Sequence, residues 1–131
     1  MTGVVFLPIV FPTLNDLLRA HGQGGGGAGN GYARLKRTLQ DQVRIFIRQA
    51  RVKGELTPVK GPVVLAYEHR RPNRRADPSN VAAAAMKIVE DALVTEGIIE
   101  GDGWGAVVGF SHSFAVSTSA PGVLVTVKER N

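Results

Sequence analysis

Across residues 32–51 the apolar side chains Leu35, Leu39, Val43, Phe46 and Ala50 recur at spacings of three and four. That period puts them on one stripe of a helix. A helix with a single apolar stripe has to bury it against another element. Runs of β-branched and aromatic residues offer that surface: residues 4–10, 63–67, 104–116 (one long strand or two short ones) and 123–127. A second helical stretch, rich in alanine, covers residues 78–95 and stops before Gly97, a usual helix terminator. The order strand, helix, strand, helix, strand, strand predicts an α+β domain, with two main helices packed on a mixed sheet of about four strands.

The connections are read from their breakers. Pro12 and Thr13 end the first strand, and Thr13 or Asn15 is placed to open a short helical turn over residues 16–19. Residues 21–31 are mostly glycine. Each glycine loses more backbone entropy on ordering than any other residue, so this stretch reads as a mobile surface loop. Gly54, Pro58, Gly61 and Pro62 mark another loop. No internal repeat or boundary is visible, and 131 residues suit one domain able to bury a core without staples.

Composition narrows the chemistry. There is no cysteine, which excludes disulfides and thiolate metal sites. His21, His69 and His112 are scattered without zinc-ligand spacing. A bound metal is therefore expected to be a hard, oxygen-liganded cation, Mg2+ or Mn2+. The net charge of +5 and pI of about 10.1 point to a polyanionic partner, nucleic acid first; a plain basic surface is the other reading. The first apolar run is short, is interrupted by Pro8 and lacks a basic leader. The expectation is a soluble, cytoplasmic protein with no membrane partner.

One region concentrates groups that suit a metal meeting a phosphate backbone. Arg70, Arg71, Arg74 and Arg75 precede Asp77-Pro78-Ser79-Asn80; Lys87 and Asp91 follow on the second helix; Glu100-Gly101-Asp102 comes after it. Each has a second reading. Asp77 before Pro78 is a favoured helix cap, Lys87 and Asp91 form an ordinary i,i+4 surface pair, and Asp102 lies in a glycine-rich turn. At about 100° per residue, Asn80, Lys87 and Asp91 share a narrow sector. Val81, Ala85, Ile88 and Ala92 form the neighbouring apolar stripe.

These residues together resemble the RusA family of Holliday junction resolvases, small basic endonucleases often carried by phages and prophages. The family pattern is an arginine-rich approach to Asp-x-Asp-Asn, a helix with lysine and then Asp-Ala-Leu, and a turn ending in Asp-Asp. Here the chain reads Arg74-Arg75-Ala76-Asp77-Pro78-Ser79-Asn80, Lys87, Asp91-Ala92-Leu93 and Gly97-Ile98-Ile99-Glu100-Gly101-Asp102, with Pro12-Thr13-Leu14-Asn15 upstream and Lys36 in the long helix. The resemblance spans nearly the whole chain. It implies a homodimer that binds four-way DNA junctions and cuts them with Mg2+ or Mn2+, as a hydrolase of DNA recombination and repair in a bacterium or in a phage's host.

By position, the resemblance makes Asp77, Asp91 and Asp102 metal ligands, with Lys87 as their catalytic partner. It assigns Arg70, Arg71, Arg74, Arg75, Asn80, Asn15 and Lys36 to the DNA. There are two departures from the pattern. Ser79 stands where the second aspartate belongs, leaving Glu90, Asp91 and Glu100 as the carboxylates to replace it. About four extra residues also separate Asn80 from Lys87, which either move Lys87 about 6 Å along the helix axis or lengthen the loop before the helix. The alternative function is a branched-DNA-binding protein with impaired catalysis; a third reading is a basic structural protein.

Overall fold

The computed structural model describes residues 2–22 and 30–130. The chain runs β1 (Thr2–Leu7), α1 (Leu14–Gly22), α2 (Asn30–Val52), β2 (Val63–Arg71), α3 (Pro78–Thr95), β3 (Val107–Val116) and β4 (Gly122–Glu129). The strands form a mixed four-stranded sheet in the order β1-β4-β2-β3. β4 lies antiparallel to β1 and β2, while β3 lies parallel to β2. A parallel neighbour needs a crossover connection, and α3 supplies it. The expected α+β architecture is the observed one, with α1 as a third helix. No helix among the described residues is long and apolar enough to cross a membrane.

The core lies between the helices and one face of the sheet. Val63, Leu65, Tyr67 and His69 alternate into it from β2. α2 contributes Leu39, Val43, Ile47 and Ala50, and α3 contributes Val81, Ala85, Ile88, Val89 and Ala92. The buried stripe of α2 centres on Ile47; Leu35 and Phe46, at its margin, are only partly buried. Several arginines of α2 are spent on holding the helices together. Arg44 Nε and Arg48 Nε each donate to the Glu96 carboxylate at 2.7 Å, and Arg51 Nη1 donates to the Glu96 carbonyl at 3.1 Å. The Arg48 hydrogen bond leads in holding the Glu96 carboxyl below its ordinary pKa.

Element boundaries depart from the expectations for local reasons. β1 stops at Leu7, since Pro8 has no N–H to give to a ladder. β2 runs on to Arg71 because both neighbours keep pairing with it, through Arg70 on one side and Arg71 on the other. The short turn expected over residues 16–19 is a full helix opened by Thr13. The Asp16 N–H donates to Thr13 Oγ1 at 3.2 Å and the Thr13 N–H to Asp16 Oδ2 at 2.9 Å, a reciprocal cap. The glycine-rich stretch is also narrower than expected: α1 reaches Gly22 and α2 starts at Asn30. The remainder of the expected mobile loop, residues 23–29, lies outside the described residues.

β4 starts at a glycine for a steric reason. A Cβ on Gly122 would run into the Leu7 carbonyl oxygen and the Phe6 ring. Gly122→Ala is expected to destabilise the fold by about 1–3 kcal/mol, read as a lower urea midpoint. An unchanged midpoint would show that β1 and β4 can separate freely.

Candidate functional site

The site is set by how α3 ends. Gly97 takes a left-handed conformation with φ 73°. The Ile98 N–H bonds the Leu93 carbonyl at 2.9 Å and the Gly97 N–H bonds the Val94 carbonyl at 3.0 Å, the paired bonds of a Schellman cap. Ile98 and Ile99 are then buried. The Val59 N–H bonds the Ile98 carbonyl at 2.8 Å, and Glu100 Oε1 accepts from the Gly61 N–H at 3.1 Å. Glu100 is thus committed to holding this turn.

The chain turns back along α3 and brings Asp102 to Lys87. Lys87 Nζ lies 3.4 Å from Asp102 Oδ2 and 3.4 Å from Asp91 Oδ1. From α2, Lys36 Nζ reaches Asp91 Oδ2 at 3.4 Å and Gln40 Nε2 donates to the same oxygen at 3.1 Å. The charge of Asp91, followed by the hydrogen bond to Asp102, raises the Lys87 pKa. Glu90 adds a half-buried carboxyl. Burial raises its pKa first; Lys87 acts against this, and Asp102 and Asp91 reinforce it.

Asp77 stands at the other end of α3. It is the N-cap residue, and its carbonyl accepts from the Asn80 and Val81 N–H groups at 3.0 and 3.1 Å. Its carboxylate makes no capping hydrogen bond. Ten positions along the helix put its backbone on the order of 15 Å from that of Lys87. Asp77 is therefore not gathered with Asp91 and Asp102. Among the described residues, no group of three or more His, Asp or Glu side chains converges to hold a metal. Ser79 is exposed and Asn80 partly exposed on the first turn beside Asp77.

The arginines divide as well. Arg71 and Arg74 line a cavity of about 350 Å³ between the start of α3 and the end of β3, with Asn73, Pro78, Phe114 and Val116. Arg71 Nη1 donates to the Phe11 carbonyl at 2.7 Å, and burial lowers its pKa. Arg70 turns to the other face of the sheet, as alternation along a strand requires. There it bonds Glu68 at 3.2 Å and lies over the Phe6 ring, 5.3 Å from its centre. Arg75 and Asn15 are exposed. Of the residues expected to touch DNA, only Lys36 meets the carboxylate cluster directly.

Two of the three histidines are not scattered. His69 Nε2 and His112 Nδ1 lie 2.8 Å apart. They belong to a stack in which Tyr67 meets His112 and His69 meets Phe114 at centroid distances of 4.9 and 5.1 Å. The signal in the sequence is the period-two placing of Tyr67, His69, Phe110, His112 and Phe114, but it becomes a contact only through the parallel register of β2 and β3. Among the described residues, Tyr67 Oη and His69 Nδ1 are buried without hydrogen-bond partners. Burial first, then His112 and Arg71, lowers the His69 pKa to about 4.

An unfolded histidine titrates near 6.5. Between that value and about 4, the unfolded chain takes up a proton that folded His69 refuses. The His69 contribution to stability is therefore full above about pH 6.5 and is lost as pH falls toward the folded value. Melting temperature is expected to fall across this window, and His69→Phe, which keeps the stack, to flatten the fall. An unaltered profile in the variant would contradict the assignment.

No protein-family model matches this chain, and no curated protein matches it either.

Proposed function

We propose that this chain is a metal-dependent endonuclease of branched DNA, working on four-way junctions in cytoplasmic recombination and repair. The observation that carries the reading is the grip of Lys87 on two carboxylates, 3.4 Å from Asp91 and 3.4 Å from Asp102. A lysine between two acids, on a basic chain of net charge +5, suits phosphodiester chemistry. Two carboxylates also match the donor set of Mg2+, which takes its other ligands from water and substrate phosphate. Asp77 does not fit that set, given its distance along α3.

In this reading Asp91 and Asp102 would hold the ion, with Lys36 and Gln40 fixing Asp91 in place. The ion supplies Lewis acidity to a water and to the scissile phosphate. With the carboxylates engaged by Mg2+, Lys87 would be free to place its charge at the leaving oxygen. Arg71 and Arg74 position the backbone at the start of α3 without reading bases. Pairing of two copies would give paired nicks. The exposed apolar residues Phe114 and Val116 on the edge strand β3 support that pairing.

The direct test is cleavage of a synthetic four-way junction with Mg2+ or Mn2+. Asp102→Asn and Lys87→Met are each expected to slow cutting about a hundredfold or more. Asp77→Asn keeps a good cap and is expected to change cutting by less than about tenfold. A large loss in the Asp77 variant, or none in the Asp102 variant, would contradict this placing of the chemistry.

A second reading rests on Ser79 and on the absence of a three-acid cluster among the described residues. It makes the chain a junction binder with impaired catalysis. Wild-type protein would then bind the junction with an affinity that falls by roughly 0.9 log unit per log unit of salt for each phosphate contacted, yet leave it uncut with either metal.

A further inference from the structure

Beside the carboxylate cluster, a cleft of about 410 Å³ opens between α3 and β3, lined by Met86, Glu90, Asp102, Trp104, Val107 and Phe110. Trp104 is 99% exposed, an expensive position for the largest apolar side chain. It sits between Gly103 and Gly105, where even an added Cβ would meet nothing within 4 Å. The turn beneath it is held by bonds from the Ala106 and Val107 N–H groups to the Gly103 carbonyl at 3.1 and 3.0 Å. A bare indole thus stands on a fixed base at the mouth of a cleft. Phe110, 54% exposed, forms another aromatic wall.

The charged groups lining the cleft, Glu90 and Asp102, are acceptors. Glu90 is half-buried and forms no hydrogen bond or ion pair among the described residues. Asp102 shares Lys87 at its rim. Carboxylates repel phosphate but accept from the exocyclic amino group of a base edge, as Glu or Asp does from cytosine N4. An aromatic face stacks on any base, and Lys87 offers a cation to the adjoining backbone.

We infer that this cleft receives one unpaired nucleobase, stacked on Trp104 and hydrogen-bonded through its amino group to Glu90. The occupant is a base carrying an exocyclic amino group, cytosine above thymine. At a branch point, where stacking between arms is interrupted, extruding such a base costs less than within a continuous duplex. The inference rests on the nucleic-acid part of the proposed function and is independent of cutting.

Trp104 is the single tryptophan of the chain, so its emission reports this cleft alone. The full-length protein is titrated in EDTA with fluorescein-labelled oligo(dC) and oligo(dT) of equal length. Binding is read by anisotropy and the cleft by tryptophan quenching. Quenching by oligo(dC) at several-fold lower concentration than by oligo(dT) is expected. Trp104→Ala should weaken oligo(dC) binding about tenfold, and Glu90→Gln should collapse the preference while retaining the quench.

Oligonucleotide binding without quenching would overturn the inference while leaving the nuclease reading intact. Equal quenching by both oligonucleotides would overturn the base assignment. Emission that shifts with protein concentration in the absence of DNA would overturn it in favour of a second copy covering the indole. A lack of binding to either oligonucleotide or to a labelled four-way junction would remove the inference together with the nucleic-acid reading.

Discussion

The reversal of the chain after α3 is the constraint on which the candidate site depends. Gly97 adopts a φ of 73°, a region costly for any residue with a Cβ. The two buried isoleucines that follow, Ile98 and Ile99, pull the chain under the helix instead of away from it. Burying two such side chains contributes about 3–6 kcal/mol, far more than surface ion pairs are worth. The contacts of Lys87 with Asp91 and Asp102 are therefore consequences of core packing. The carboxylates are brought together by hydrophobic burial, and the lysine between them offsets their repulsion.

That same geometry separates what the sequence presents as continuous. Asp77 and Asp102 flank one helix, and a helix of 18 residues is a spacer of about 27 Å at 1.5 Å per residue. Only the doubling back of the chain shortens the distance, and it does so toward Lys87 rather than as far as Asp77. α3 thus carries two separate polar ends. The first has Asp77 next to an open cavity lined by Arg71 and Arg74. The second has Glu90, Asp91, Asp102 and two lysines. Arg44 and Arg48 of α2 fall into neither, since both are engaged with Glu96.

Much of this was legible in the chain. The periodicity of α2, the alanine-rich run of α3, the stop at Gly97 and the four strands all follow from local pattern. So does the facing of Lys87 and Asp91, because four residues is close to one helical turn. What was not legible depends on register or on burial between distant segments. The His69–His112 contact requires β3 to lie parallel to β2 in one specific alignment. The diversion of Arg70 to the other sheet face requires β2 to continue past Tyr67, which its charged residues disguise. Glu100, a candidate to replace the acid missing at Ser79, is bound to Gly61 across 39 positions, and no local pattern encodes that bond. Trp104 looked like the start of a strand and is instead a bare side chain on a turn.

The proposed cation site is the Asp91–Asp102 end of α3, with Asp77 outside it. The most direct test is titration of isotopically labelled protein with trace Mn2+, following paramagnetic loss of amide resonances. Loss beginning at Asp91, Asp102 and their neighbours, while Asp77 to Asn80 remain sharp, is the predicted result. Loss beginning at Asp77, or spread evenly over the surface, would contradict it.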